Sequence, residues 1–527
     1  MFVSYLFAWT ALTCLSAPAP SPAPSAATGG AEAVAQGSLL TFRSRVTLGQ
    51  LGSSSANDCW GYVSPSGREY ALTCTFNGTV FVEITDPDNP IIVSSQPGNT
   101  TSTRDVKTYQ DHAYVVGESG PGIQVFDLSN IDAGAVVYVG DVTTGGTSTT
   151  HNVAINEESG FLYRCRGASN GLRIYDLNQS LTNPPFVGSW AGKTVHDAQV
   201  VSYTSGPLSG KEIAFCSTGF AKDLTIVDVT NKANPTVMSS IAWPQNAHGH
   251  QGWLDARRKY FYLNDEYDEA TFGLPTQTLV FDVSDPMNPF LAGSFTNGNP
   301  AIGHNSFIAG DLLYEANYTS GLRVFDLSVD PLDPPEIDWY DTYPSSDAAS
   351  FAGLFSVYPF FPSGTVIGSD EQTGLYIWST CLTETYCSAG TSAAGCEAKI
   401  SAVGTASASA SAGFTLSGAD VEGQKTGMFF FGANGRQANP WGNGSSFQCV
   451  TPPVDRGGLL PAAGTTGACD GSFAQDLNAL WCPTCPKPAK NPGAGATVQA
   501  QLWYRDPLNT SNQTTSLSDA VEFCVRP

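Results

Sequence analysis

Residues 223–235 read DLTIVDVTNKANP, an alternating apolar run that ends in an aspartate and a proline-containing turn. The alternation predicts a β-strand, and the proline and asparagine that follow predict a turn. Related phrases recur six more times before residue 380: GTVFVEITDPDNP at 78–90, GIQVFDLS at 122–129, GLRIYDLN at 171–178, TLVFDVSDPMNP at 278–289, GLRVFDLS at 321–328 and GLYIWS at 374–379.

The spacing of these phrases defines the fold class. Their acidic position recurs every 44 to 54 residues, at Glu83, Asp127, Asp176, Asp228, Asp282 and Asp326, with Trp378 in the seventh copy. Such a period with strand signals alone predicts the blades of a β-propeller rather than a helical solenoid. Two strands precede each phrase and one follows it, so we expect four strands per blade and seven blades; six or eight are the alternatives.

The seventh copy ends after its third strand, at Ser379. We expect the missing strand to come from the other end of the repeat region, where residues 39–48 read LLTFRSRVTL. Pairing of this segment with the strand at 375–378 would remove both exposed sheet edges.

Several further segments accompany the repeat phrases: NDCWGY at 57–62, RDVKTY at 104–109, HGHQGWL at 248–254, LNDEYDE at 263–269 and IGHN at 302–305. With them, residues 38–379 resemble the LVIVD-repeat propellers of the choice-of-anchor B family. That resemblance implies a secreted or surface-held propeller and no particular chemistry. The chain departs from the family pattern because it ends in a cysteine-rich region instead of a membrane anchor or sorting signal.

The two ends of the chain differ from the repeat region in composition. The apolar run from Phe2 to Leu15 is shorter than the roughly 20 residues of a membrane span, so we interpret residues 1–19 as a signal peptide; a retained anchor is the alternative. Residues 20–37 are rich in Ala, Pro and Ser and are expected to be a flexible linker. Seven glycosylation sequons, at Asn77, Asn99, Asn178, Asn317, Asn443, Asn509 and Asn512, suit an exported glycoprotein.

The overall charge narrows the range of partners. Asp and Glu outnumber Lys and Arg by 47 to 24, which gives a formal net charge of −23. An acidic surface repels phosphate backbones, so nucleic acid is excluded as a partner. No later apolar run is long enough for a transmembrane anchor. We therefore expect an extracellular ligand or protein as partner, of an identity that the sequence does not specify.

The six histidines of the chain are not placed at random. Alignment of the predicted first strands of the blades puts these residues at equivalent starts: Trp60, Arg104, His151, His196, His250, His304 and Phe355. First strands begin, and second strands end, at one mouth of a propeller channel, which brings second-strand residues such as Glu118, Arg166, Glu266 and Glu315 to the same place. His112 lies in a turn and is expected at the surface.

The histidine positions predict a site for a divalent transition metal, zinc or copper. The proposed ligands are His151, His196, His250, His304 and Glu266. The residues expected around them at the channel mouth are Trp60, Arg104, Asp105, Glu118, Asp197 and Glu315. Two other interpretations stay open: a structural network that ties blades together through backbone carbonyls, and metal-free binding or acid–base catalysis.

Thirteen cysteines indicate an oxidising compartment, and twelve would remain after removal of Cys14 with the signal peptide. Cys59 and Cys74 flank one predicted hairpin and are expected to form a disulfide. Cys165 and Cys216 end the second strands of neighbouring blades and form a candidate cross-blade pair. The other eight cysteines lie in residues 380–527, for which we expect a small disulfide-rich β-sandwich.

Two classes of function fit these observations. The first is a secreted or cell-surface binding or scaffold module, which the absence of a P-loop or dinucleotide-binding motif favours. The second is a metal-dependent extracellular enzyme, a hydrolase or an oxidoreductase, which the clustering of histidines favours.

Overall fold

The structure is a computed structural model that describes residues 34–37, 39–146, 149–166, 171–380, 383–441, 446–482, 490–493, 495–509 and 514–525. The predicted signal peptide, most of the linker, Cys381, Cys485, Asn443 and Asn512 lie outside the described residues. The described chain is all-β and begins with β1 (Val34–Gly37), β2 (Leu40–Thr47) and the single-turn helix α1 (Leu48–Leu51). Among the described residues, no helix reaches the length and hydropathy that a membrane span requires.

Seven antiparallel sheets follow in the described part of residues 40–380, and most are built from four strands that are consecutive in the chain. The first three consist of β3 (Ala56–Val63), β4 (Glu69–Thr75), β5 (Gly78–Glu83) and β6 (Ile91–Pro97); β7 (Arg104–Tyr109), β8 (His112–Gly117), β9 (Ile123–Asp127) and β10 (Val137–Val142); and β11 (Val153–Asn156), β12 (Phe161–Cys165), β13 (Leu172–Asp176) and β14 (Phe186–Trp190).

The next three sheets have the same order. They consist of β15 (Asp197–Ser202), β16 (Glu212–Ser217), β17 (Leu224–Asp228) and β18 (Thr236–Ile241); β19 (Gly249–Leu254), β20 (Tyr260–Asp265), β21 (Thr278–Asp282) and β22 (Phe290–Phe295); and β23 (Asn305–Ala309), β24 (Leu312–Ala316), β25 (Leu322–Asp326) and β26 (Glu336–Asp341). Helix α2 (Asp268–Phe272) and two 3-10 turns, Ile131–Ala133 and Gly206–Leu208, lie between strands.

The last sheet combines both ends of the repeat region. It contains β27 (Leu354–Tyr358), β28 (Thr365–Asp370) and β29 (Gly374–Thr380), and β2 pairs with β29 from Leu40 opposite Thr380 to Thr47 opposite Gly374. The prediction that the N-terminal segment completes the seventh repeat is confirmed. Strand β1, which falls within the predicted linker, adds a further strand beside β26.

The first strands of the sheets face one another. Each of β3, β7, β11, β15, β19, β23 and β27 contacts the first strand of the next sheet, and β27 contacts β3. Sheets whose first strands surround a common axis form a β-propeller. Neighbouring sheets pack through apolar side chains, as where the rings of Phe215 and Phe261 stack at a centroid distance of 5.5 Å.

The acidic position of the repeat has a local role at the end of five of the seven third strands. Its carboxylate accepts a hydrogen bond from the backbone N–H two residues later, and this turn directs the chain into the fourth strand. The bond recurs at Asp127, Asp176, Asp228, Asp282 and Asp326 with distances of 2.8, 3.0, 2.9, 3.0 and 2.9 Å.

The structure corrects the disulfides predicted within the propeller, because Cys59, Cys74, Cys165 and Cys216 are buried thiols. The hairpin register, which pairs Val63 with Glu69 and continues without a shift to Cys59, places Thr73, not Cys74, opposite Cys59. Adjacent strand residues point to opposite faces, so Cys74 is turned away from Cys59. Burial raises the pKa of all four thiols and keeps them protonated.

The region after residue 380 forms separate sheets. Its elements are β30 (Glu384–Tyr386), β31 (Lys399–Gly404), β32 (Phe414–Val421), β33 (Thr426–Gly432), β34 (Arg436–Trp441), β35 (Ser446–Val450), β36 (Asp455–Arg456), β37 (Leu460–Pro461), β38 (Gly471–Asp476), α3 (Leu477–Trp481), β39 (Thr497–Arg505) and β40 (Thr515–Cys524). One sheet has the order β30-β40-β39-β33-β36, another β31-β32-β38, and β34 pairs with β35.

A single hydrophobic core joins the two larger sheets of this region, with Leu416 on β32, Phe429 on β33 and Leu502 on β39 among its members. Two disulfides fix the surrounding loops: Cys387–Cys449 and Cys396–Cys469, with Cα atoms 6.3 and 5.4 Å apart. The predicted disulfide framework of the tail is therefore present in part, and these two pairings supply connectivity that the sequence left open.

Candidate metal centre

Four predicted histidines lie next to one another at the start of the first strands. The ring centroids are 4.2 Å apart for His151 and His196 and 4.3 Å for His196 and His250. The separation of His250 and His304 is 4.1 Å. Strands β11, β15, β19 and β23 begin at or just after these residues, so four neighbouring sheets each bring one imidazole to the same place.

A fifth histidine, His248, belongs to the same cluster and was not predicted as a site residue. Its ring lies 4.8 Å from that of His196, and its backbone N–H donates a hydrogen bond to the carboxylate of Asp265 at 2.7 Å. A sequence signal for it existed, because His248 and His250 are two residues apart and alternate residues of a strand share a face. The sixth, His112, is buried and bonds Asp111 at 2.8 Å, contrary to the expected surface position.

Glu266 lies among three of these imidazoles. Its Oε2 is 3.6 Å from Nδ1 of His248 and 3.7 Å from Nε2 of His250, and its Oε1 is 3.5 Å from Nε2 of His304. These separations exceed the usual hydrogen-bond length of about 3 Å. Ligand atoms of a tetrahedral zinc site, with bonds of about 2.0–2.2 Å, lie about 3.4 Å apart. The spacing therefore matches a metal's ligands better than a set of hydrogen bonds.

The other ring nitrogen of several histidines is held by the protein. Nδ1 of His196 bonds the carbonyl of His250 at 3.1 Å, and Nδ1 of His304 bonds the carbonyl of Phe355 at 2.6 Å. A carbonyl only accepts, so each Nδ1 carries the proton and each Nε2 has a free lone pair. This anchoring is the usual arrangement around histidine ligands of metals.

His151 is held by a carboxylate instead. Its Nδ1 lies 2.9 Å from Oε1 of Glu118, and Arg166 approaches the same oxygen at 3.6 Å. The prediction that Glu118 lies beside the histidines agrees with this geometry. The hydrogen bond from His151 lowers the pKa of Glu118 to about 2.

Burial sets the charge state of the cluster. Loss of hydration lowers the pKa of His248 and of His304 to about 3, and lowers those of His196 and His250 well below the usual value. The same effect raises the pKa of Glu266 to about 8. The imidazoles of His196, His248, His250 and His304 are therefore neutral at physiological pH, which is the form that binds metals.

Two of the six residues predicted around the mouth bond partners outside the histidine cluster. Arg104 bonds the carbonyls of Asn99 and Thr75 and the amide of Gln124. Glu315 accepts from the hydroxyl of Thr278 and, at 3.2 Å, from the amide of Asn317. Both side chains are buried, and these bonds join neighbouring strands and loops.

Three more predicted mouth residues, Trp60, Asp105 and Asp197, either line or border a cavity of about 50 Å³ between the first strands. Asp58, Asp105 and Asp197 each accept the backbone N–H of the following residue, at 2.7, 2.6 and 2.7 Å. That shared bond makes Asp58 the counterpart of Asp105. The turn between β3 and β4 spans residues 64–68, whereas the turn between β7 and β8 spans only residues 110–111, so Trp60 does not occupy the position that the alignment assigned to it.

Comparisons with known proteins add limited information. The family model of the LVIVD repeat matches residues 218–242, which include β17 and β18. No curated protein matches the chain. The repeat match agrees with a β-propeller that carries LVIVD repeats, a type of fold that suits binding or scaffolding.

Two solved structures are similar at 11% identity. The β-propeller domain of Myceliophteria thermophila Cps50 (Swd1) has a TM-score of 0.45 over 64% of this chain and 99% of that chain. The Kuenenia stuttgartiensis hydrazine synthase has a TM-score of 0.42 over 60% of this chain and 94% of that chain. Both scores lie below 0.5, so neither structure bears on the function of the chain.

Proposed function

We propose that this chain is a secreted or cell-surface binding module of the choice-of-anchor B type that holds one divalent transition metal ion, zinc or copper, in its histidine cluster. In this proposal residues 38–379 are a seven-bladed propeller, and the following region is a small β-sandwich. The predicted signal peptide and the two disulfides of the tail support export.

The position of Glu266 carries the metal proposal. Its carboxylate lies 3.5 to 3.7 Å from nitrogens of three histidines, and the candidate ligand atoms of His196, His250 and Glu266 lie within 4.8 Å of one another. Hydrogen bonding does not account for these contacts at such distances. Nitrogen and oxygen donors in this number suit zinc or copper.

Unpartnered nitrogens inside the cluster support the same proposal. Among the described residues, Nδ1 of His248 and Nδ1 of His250 are buried without a hydrogen-bond partner. A buried polar atom that lacks a partner costs about 1–3 kcal/mol. A cation beside Glu266 would satisfy Nδ1 of His248, which lies 3.6 Å from that carboxylate, and the residues that would hold it are His196, His248, His250, His304 and Glu266.

Metal analysis of the purified protein tests the proposal. We expect about one equivalent of zinc or copper per chain after reconstitution and dialysis, and a large loss of it in His250→Ala with the fold retained. His112→Ala is the matched control, since this buried histidine bonds Asp111 and should leave the metal content unchanged. A wild-type chain without metal after reconstitution, or equal losses in both variants, would refute the proposal.

The second candidate is a metal-dependent extracellular enzyme. One observation favours it: the hydroxyl of Tyr318 lies 3.3 Å from Oε1 of Glu266, where it can donate a proton beside a bound ion. Metal-dependent turnover of ester or oxidisable substrates that disappears in Tyr318→Phe, while the metal content stays unchanged, would establish this alternative. Full metal occupancy without turnover supports the binding module.

A further inference from the structure

The region after residue 380 contains a cavity of about 280 Å³ that is separate from the metal centre. It lies between one face of the large sheet and the β34–β35 hairpin. Its walls are mainly apolar, with two polar side chains at the edge. The lining residues are Met428, Phe430, Trp441, Gln448, Val454, Arg456, Trp503 and Leu517.

Strand alternation explains how the sheet builds this wall. Met428 is the register partner of Trp503, which in turn is opposite Leu517. Phe430 is opposite Arg456, and partners across a ladder point to the same face. The residues between them, such as Phe429, face the hydrophobic core on the other side of the sheet.

The hairpin completes the cavity from the opposite side. It contributes Trp441 and Gln448, and the indole N–H of Trp441 donates to the hydroxyl of Thr515 at 3.0 Å. This bond fixes the indole against the strand that carries Leu517. The wide apolar faces of Trp441 and Trp503 therefore belong to a preformed wall, which reduces the entropy cost of binding.

The polar edge of the cavity has unused hydrogen-bonding capacity. Arg456 is exposed and Gln448 is half-buried, and within the described part of the chain neither side chain forms a hydrogen bond or an ion pair. The guanidinium of Arg456 therefore has no acidic partner within the described residues, in a protein with 47 acidic and 24 basic residues. Charge complementarity at this edge favours an anion.

We propose that this cavity binds a small aromatic carboxylate, with its ring between the indoles and its carboxylate on Arg456. A sugar fits the wall poorly, since its hydroxyls would meet apolar side chains and lose hydrogen bonds to water. A quaternary ammonium ion would be repelled by the guanidinium. The volume suits one or two rings, since it lies at the lower end of the range for small-molecule sites.

Isothermal titration of the full chain with phenylacetate and with neutral 2-phenylethanol tests this assignment. We expect saturable binding of phenylacetate that is at least about tenfold tighter than that of the alcohol. Arg456→Gln should remove this preference and leave alcohol binding unchanged. Arg505→Gln, which changes an exposed arginine of β39 outside the cavity lining, should keep the preference.

A filling variant separates binding in the cavity from binding elsewhere. Met428→Trp occupies the space opposite Trp503, so neither probe should bind, while the unfolding temperature of the region stays close to that of the wild type. Equal affinities for the carboxylate and the alcohol in the wild type would overturn the proposal. So would carboxylate binding that survives both Arg456→Gln and Met428→Trp.

Discussion

At the residue scale, Lys107 offsets the negative charge of the aspartates at the cavity between the first strands. Its ammonium is 2.6 Å from Asp105 and 3.7 Å from Asp58, and it lies 4.4 Å from the ring centroid of Trp60. Burial raises the pKa of Asp105, and the charge of Lys107 opposes that rise. The lysine therefore favours the ionised form of Asp105 between the first strands.

Replacement of Lys107 by Met should lower the free energy of unfolding by about 3 kcal/mol at pH 8, because it leaves buried carboxylates without a facing cation. A carboxyl whose pKa is higher in the folded than in the unfolded state loses folding free energy as pH rises. Since the variant raises the pKa of Asp105 further, its deficit should shrink from pH 8 to pH 5. Chemical denaturation at both pH values measures this.

Lys107→Arg provides the control, since it keeps the positive charge beside Asp105 and should retain most of the stability at both pH values. A Lys107→Met deficit that is the same at pH 5 and pH 8 would show that lost packing, and not charge, explains the effect.

At the element scale, the sequence predicted the strands better than the contacts between their side chains. The repeat located the third strands and the origin of β2, because both depend on alternation that is visible in the chain. The exact length and register of the hairpin turn between β3 and β4 have no such signature. They shifted the expected position of Trp60 and removed the predicted bond between Cys59 and Cys74.

The pairing of β2 with β29 leads to a prediction about stability. Val46 is 2% exposed and lies opposite Leu375, whereas its neighbour Arg45 faces solvent. Val46→Asp buries an unpaired carboxylate and should lower the unfolding temperature of the propeller by several degrees. Arg45→Asp, measured by the same thermal melt, should change it by much less. Equal shifts would mean that the side chain of Val46 does not pack in the core.

The disulfide between Cys396 and Cys469 should stabilise the C-terminal region. It closes a loop of 73 residues, and loss of such a bond from a small exported domain typically costs about 2–5 kcal/mol. The Cys396→Ser/Cys469→Ser double variant should unfold this region earlier in a calorimetric scan and leave the propeller transition in place. A lower propeller transition instead would mean that the two regions unfold as one unit.

At the scale of the whole molecule, the proposed metal would connect several blades. His196 precedes β15, His250 lies in β19 and His304 precedes β23, so one ion would link three neighbouring sheets. A ligand that binds only the folded state at 100 times its Kd adds about 2.7 kcal/mol of stability. Zinc at saturation should therefore raise the unfolding temperature of the wild type by several degrees, and a chelator should reverse the rise.

The same melt of His250→Ala should show little response to zinc, while His112→Ala should respond like the wild type.

The sequence could predict the four repeat-equivalent histidines, since the period places them together. It could not predict the contribution of Tyr318, because a loop between strands brings this residue to the cluster and no period marks its position; for His248 the only signal is its spacing of two residues from His250.

The pairing of β2 with β29 also has a consequence for the order of synthesis. Residues 40–47 leave the ribosome before their partners at 374–380, which are made more than 300 residues later. During that interval the nascent chain carries an unpaired strand, and the last sheet lacks its outer edge. A circular permutant that begins at residue 56 and joins residue 380 through a linker to residue 39 would make both partners together. We expect it to fold in higher yield during translation, with the same final sheets.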